Sequence, residues 1–292
     1  MARVAKLAAL LSGMMCAVHG AEPRAFVDGD AEEFAPGIAS TGYSDVRLTI
    51  SPDGNTALWF SRNRPGGPGG YDIWMSRRIG ATWQPAEPVS FNSPTRDFDP
   101  AFSRDGRYVY FASDRPGSLG GDDLWRVRVS RTGFGAVEHL GGDVNTPRNE
   151  WAPMSFGRTL LFSSDGHGGA GRMDLLTAHE RRGRFIDVRP LPGAINTDAD
   201  EFDATFLADG RTVIFSRSPD LATSEVRLFR AARTARGYDT GVALPESINT
   251  PGSSTYAPML DWSEPSRITF TTRRPADSPR LADLYRVTLR PE

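Results

Sequence analysis

Apolar runs of five to seven residues, each followed by turn residues, recur along the chain. This is the pattern of short antiparallel strands rather than of helices. The clearest stretch is Asp97 to Arg148. It reads Asp97-Phe98-Asp99-Pro100-Ala101-Phe102-Ser103, a turn at Arg104-Asp105-Gly106, a second run Tyr108-Val109-Tyr110-Phe111-Ala112, a Gly-rich loop, and a third run from Asp123-Leu124-Trp125. A weaker fourth segment ends at Asn145-Thr146-Pro147.

A version of that stretch appears five times. The aromatic closing the second run recurs as Phe60, Phe111, Phe162, Phe215 and Phe270, at spacings of 51, 51, 53 and 55 residues. Two further columns keep step with it: Trp74, Trp125, Leu176, Phe229 and Tyr285 in the third run, and Val46, Phe98, Trp151, Phe202 and Tyr256 in the first. A sustained period with four strands per unit is the mark of a β-propeller. The expected fold is therefore all-β: a five-bladed β-propeller of four-stranded antiparallel blades, with blades at about 43–93, 95–146, 148–197, 199–250 and 253–292. The last copy reaches the end of the chain with only three strands. Residues 33–41 stand before copy one as the stretch 85–93 stands before copy two, so the sequence predicts that this N-terminal strand joins the last blade and closes the ring. The turns agree: Ser51-Pro52-Asp53-Gly54, Arg104-Asp105-Gly106 and Ala208-Asp209-Gly210 supply the positive φ that a tight hairpin needs.

Composition and the N-terminus narrow the class. Arg3 and Lys6, the apolar run Leu7–Leu11 and small residues up to Gly20 have the three-part layout of a secretory leader, with cleavage expected near Gly20 and one domain expected over 21–292. The apolar run is too short for a membrane anchor, and no integral membrane segment is expected elsewhere. Cys16 would suit lipidation, but Met14 and Met15 stand where small residues are wanted. Removing Arg3 and Lys6 takes the 34 basic residues to 32 against 36 acidic ones, a net charge of −4. The mature chain then has neither Cys nor Lys, so it has no disulfide or thiolate metal site, and no basic face for nucleic acid is expected.

Ser51-Pro52-Asp53-Gly54, Leu58-Trp59-Phe60-Ser61, Arg64-Pro65-Gly66-Gly67 and Tyr71-Asp72-Ile73-Trp74 together resemble the propeller repeat of the TolB-like, Tol-system family. The likeness covers essentially the whole mature chain and is strongest in copies one and two. It implies a periplasmic or secreted, non-enzymatic propeller that docks a protein or a cell-envelope component. Members of that family usually carry six blades, and the N-terminal α/β domain of TolB itself has no counterpart here. Propellers of this type also accompany prolyl oligopeptidases, but the chain has no Gly-x-Ser-x-Gly motif. The Gly-Gly doublets also suggest a kelch-type propeller, which the Asp-Gly turns fit less well.

The candidate chemistry lies at the start of each first strand, the innermost strand of a propeller blade. Asp45, Asp97, Glu150 and Glu201, with Thr255 in the fifth copy, would ring the channel mouth, joined two residues later by Asp99 and Asp203 beside Arg47. Such acids either cap turns and pair with arginine, or attract a cation or ligand. Trp151 and Tyr256 sit close enough to stack a ligand. Two acids about 5 to 10 Å apart in an open pocket free of arginine would instead suit glycoside hydrolysis, the rival class. Arg64, Arg115 and Arg274 precede the Pro-Gly or Pro-Ala loops of three copies. They offer either outward forks for a partner or structural pairs with the third-strand Asp72, Asp123 and Asp283. The mature histidines His139, His167 and His179 have no metal-ligand spacing, and no metal, cofactor or catalytic triad is expected. The expected protein is a monomeric binding module.

Overall fold

The computed structural model describes residues 26–273 and 281–290. Regular structure within them is β-strand throughout. No helix there is long and apolar enough to cross a membrane. The leader and Arg274 lie outside the described residues.

The strands form successive antiparallel meanders. Copy one runs Ser44–Ile50, Thr56–Arg62 and Tyr71–Ile79, edged by two short pieces, Thr82–Trp83 and Glu87–Pro88. Copy two runs Asp97–Phe102, Tyr108–Ser113, Asp123–Ser130 and Gly133–His139. Copy three runs Glu150–Phe156, Thr159–Ser164, Asp174–Arg181 and Arg184–Pro190. Copy four runs Asp200–Phe206, Thr212–Ser218 and Arg227–Thr234, edged by Gly237–Tyr238 and Val242–Ala243. Copy five supplies Ser254–Leu260, Arg267–Arg273 and Ala282–Leu289, and Val27–Glu33 pairs antiparallel with the last of these.

Two sequence expectations are corrected by this register. The first concerns the aromatic column. Trp59, not Phe60, stands opposite the third strand as Phe111, Phe162, Phe215 and Phe270 do, facing Trp74 where those face Trp125, Leu176, Phe229 and Tyr285. Those five are among the largest fully buried side chains. Phe60 points to the other face and meets Tyr71 and Phe98. A one-residue slip exchanges the two faces of a strand, and Leu58-Trp59-Phe60, apolar on both, hid the difference.

The second concerns the N-terminal strand that joins the last copy, which is Val27–Glu33 rather than 33–41. Phe34 donates its N–H to Leu284 O, as Val89, Leu140, Leu191 and Leu244 donate to Ile73, Leu124, Leu175 and Leu228. The apolar run around Phe34 is thus the connection after the outer strand. The strand itself is acid-rich and mostly solvated, so it lacks the alternation that marks a half-buried strand.

A repeated side-chain clamp follows each connection. Asn92, Asn145, Asn196 and Asn249 each accept the N–H and donate to the C=O of one third-strand residue, Ile73, Leu124, Leu175 and Leu228. Ser40 does the same for Leu284 in copy five. The first strand of each copy packs against the preceding copy, and Ser44–Ile50 packs against all three strands of copy five. Hydrogen bonds sew these contacts: Phe102 N to Thr49 Oγ1, Ala152 N to Asp99 Oδ2, Asp203 N to Ser163 Oγ, Leu260 N to Thr205 Oγ1 and Arg47 N to Thr271 Oγ1.

Candidate ligand site at the mouth of the channel

Every first strand carries a β-bulge two to four residues from its start. The residue inside it takes a left-handed conformation: Arg47 at φ 55°, Asp99 at 53°, Ala152 at 53°, Asp203 at 48° and Ala257 at 56°. A non-glycine residue there costs on the order of 1–2 kcal/mol. The bulge re-aims these side chains so that residues from three different copies meet. Arg47 is wholly buried, donates from Nη2 to Pro153 O at 3.2 Å, and lies with Nη1 3.8 Å from Asp203 Oδ1. Its Nε and Nη1 find no hydrogen-bond partner. Asp99 accepts the Ala152 N–H at 3.1 Å. Burial first, then the charge of Asp203, pushes the Asp99 carboxyl up to about 7, against the pull of Arg47. Burial raises Asp203 as well, opposed by Arg47 and the Ala257 N–H.

Above this group opens a cavity of about 310 Å³. Phe60, Tyr71, Phe98, Trp151, Phe202 and Tyr256 wall it, with Asp99, Asp203 and Asp122, and Arg62, Arg96 and Arg273 contribute cations. Arg96 is neutralised by Asp122 at 2.7 Å and Asp114 at 3.1 Å, and Trp151 Nε1 donates to Asp122 at 2.9 Å. The guanidinium of Arg62 stacks over Tyr71 at 4.8 Å. Burial pushes the Tyr256 hydroxyl up to about 12. A larger open cleft, about 890 Å³, lies by the hairpin turns of copies one and two and contains none of the sequence-selected residues.

The first acid column sits elsewhere. Asp45, Asp97, Glu150 and Glu201 are wholly buried and outside the cavity lining. Each accepts the N–H and hydroxyl of the Ser or Thr four residues before it, Thr41, Ser93, Thr146 and Thr197. A second group completes each cap: Ser61 for Asp45, Arg115 for Asp97, Ser164 for Glu150 and Arg217, at 2.6 Å, for Glu201. Burial raises Asp45 and Glu150, and these hydrogen bonds oppose it.

The loop arginines turn inward. Arg115 binds Asp97 and Phe91 O, and Arg64 lies 4.0 Å from Asp45 and 4.2 Å over the Trp74 ring. The expected pairs with third-strand acids are thereby corrected. Asp72 and Asp174 accept N–H groups of their own loops, and Asp123 accepts Leu119 N–H and meets His139 at 2.6 Å. On Asp97, Ser93 takes one carboxylate oxygen and the Arg115 guanidinium takes the other. Arg217 and the walls Phe60, Tyr71, Phe98 and Phe202 were not singled out as site residues. Arg217 could have been found, because it replaces the Ser of Ser61, Ser113 and Ser164 opposite the first-strand acid. Among the described residues no three His, Cys, Asp or Glu side chains are grouped to hold a metal ion.

These sheets and their inward bulges define an all-β propeller of TolB-like fold. TolB from Acinetobacter baumannii is 15% identical over 84% of this chain, with a TM-score of 0.49, and the chain spans only 54% of that protein's length. A protein assigned as TolB from Agrobacterium tumefaciens is 16% identical, the match covering 82% of this chain and 73% of that one, with a TM-score of 0.51. An endo-arabinase from Bacteroides thetaiotaomicron is 12% identical over 89% of this chain and 99% of its own, with a TM-score of 0.58. At these identities the likeness speaks for the fold alone. No family model matches the sequence, and no curated protein matches it.

Proposed function

We propose that the chain is an exported, five-bladed propeller that binds a protein or a cell-envelope component at its channel mouth without transforming it. The five meanders are its blades, and Val27–Glu33 is the outer strand that closes the ring. The leader read over residues 1–20 would direct it to the periplasm, and the Tol-system resemblance supports that location. One observation carries the binding role. Of the described acids near the axis, only Asp99, Asp122 and Asp203 reach the cavity; Asp122 is paired with Arg96, and Asp99 and Asp203 share Arg47. Acids so paired hold and orient, whereas a hydrolytic acid and base need an open approach to one bond. Arg64 and Arg115 serve the site indirectly, by fixing the loops around it. The test is capture from envelope extract, comparing wild type with Trp151→Ala. Retention of a defined component by the wild type and its loss in a folded W151A variant is the expected result; equal retention by both places binding elsewhere.

The second reading is a glycoside hydrolase, favoured by Asp99 being held near 7 next to Asp203, as a general acid beside a carboxylate would be. The endo-arabinase of like fold makes arabinan a sensible first substrate. Turnover lost in both Asp99→Asn and Asp203→Asn would establish this reading, and a flat assay with wild type removes it.

A further inference from the structure

Resting on the mouth as the binding site, we infer that the ligand enters cation first: an ammonium or guanidinium on a short carbon stem reaches Asp99 and Asp203, while an acceptor such as a carboxylate or carbonyl stays at the rim with Arg62 and Arg273. The floor holds two carboxylates and one counter-ion. Arg47 makes no hydrogen bond to either: its Nη2 is used on Pro153 O, and Nη1 stands 3.8 Å from Asp203. Asp99 and Asp203 are 5% and 6% exposed, and each is met by a single backbone N–H, from Ala152 and Ala257. The charge left over faces a cavity whose walls are aromatic, and aromatic faces attract cations.

The other charged groups around the floor do not supply the missing cation. Arg96 is committed to Asp114 and Asp122, and Asp122 also accepts from Trp151. Tyr256 is a neutral hydroxyl that feels the charges of Arg62, Arg273, Asp203 and Asp99. Arg62 and Arg273 are exposed at the rim, where water screens them. The cavity therefore runs from an acidic floor through an aromatic barrel to a basic rim. Its volume of about 310 Å³ suits one such side chain.

The cation competes with a proton for the floor, which gives the site a pH dependence of known sign. Asp99 is raised to about 7, so the floor carries its extra charge above that pH and loses it below.

The test is calorimetric titration of the whole protein with agmatine, N-acetyl-arginine, leucine and arabinobiose at about pH 8 and about pH 5.5. Agmatine and N-acetyl-arginine should bind at the higher pH, N-acetyl-arginine the more tightly, and both should weaken by about tenfold or more at the lower pH. Asp99→Asn and Asp203→Asn should each weaken them by a similar factor. Asn tolerates the left-handed backbone, and the wild-type ligand series decides the matter even if a variant fails to fold. Binding of arabinobiose but not of the cations, sensitive to Trp151→Ala, overturns this inference and leaves the mouth as the binding site. If no probe binds and capture is indifferent to W151A, both fall.

Discussion

Asp99 and Glu201 are both buried carboxylates on first strands, two residues apart in the repeat, and opposite forces set their roles. Glu201 receives the Thr197 N–H and hydroxyl and the Arg217 guanidinium, so its charge is satisfied. Replacing Arg217 by Ala strands that charge, and a loss of about 3 kcal/mol is expected in urea unfolding; a loss under about 1 kcal/mol would show that Thr197 alone suffices. Asp99 has no such cap. Its carboxyl is raised to about 7 in the folded protein, against an ordinary value near 4 in the unfolded chain. The folded state therefore holds a proton that the unfolded state has released between those values, and stability falls as pH rises through that window, then levels above it. Asp99→Asn removes the titration. The stability of wild type relative to D99N should decline from about pH 4 to about pH 7, and a constant difference would contradict it. The sequence announced both acids but not which of them reaches the cavity. That depends on a bulge occupied by Arg, Asp, Ala, Asp and Ala, and no glycine marks its left-handed position.

Strands were legible where burial imposed a pattern and illegible where it did not. First and second strands are buried along nearly their whole length, so their existence and order could be read, but in Leu58-Trp59-Phe60 nothing local distinguished the face of Trp59 from that of Phe60. The N-terminal strand Val27–Glu33 lies at an edge with little burial and has no pattern to read. What the repeat did carry was the connection after it, from Phe34 to the clamp at Ser40. That clamp predicts its own weight. Asn145 is 1% exposed and holds both main-chain groups of Leu124. Asn145→Ala leaves the buried Leu124 N–H without a partner, while its C=O keeps the Leu140 N–H, and should cost about 2 kcal/mol, read as a lower urea midpoint at unchanged slope. Deleting residues 26–33 acts on a whole element. It uncovers the edge of Ala282–Leu289 and should yield a chain that aggregates on warming at a lower temperature than wild type. A truncated protein that melts like the intact one would mean the strand adds nothing to closure.

At the scale of the whole molecule, the contacts between copies decide how it comes apart. Each copy is bonded to the one before it by its first strand, and the series does not stop at the fifth: Arg47 N–H donates to Thr271 Oγ1 and Thr269 Oγ1 to Leu48 O, returning the path to copy one. Trp262 of copy five adds a tie to copy two, its indole donating to Phe102 O at 3.1 Å. Open repeat arrays lose their terminal units first, because each end unit has one neighbour. In the ring proposed here every unit has two, and the strand from one chain end completes the unit at the other, so no copy is terminal. Unfolding should then be a single transition in which distant copies report the same midpoint. The indoles provide the probes: Trp59, Trp74 and Trp83 in copy one, Trp125 in copy two, Trp151 in copy three and Trp262 in copy five. Variants that keep only Trp74, only Trp125 or only Trp151, followed by fluorescence in urea, should agree in midpoint with one another and with circular dichroism once each is corrected for its own stability. An early midpoint for Trp74 with a later one for Trp151 would mean that copy one opens on its own and the ring is not closed.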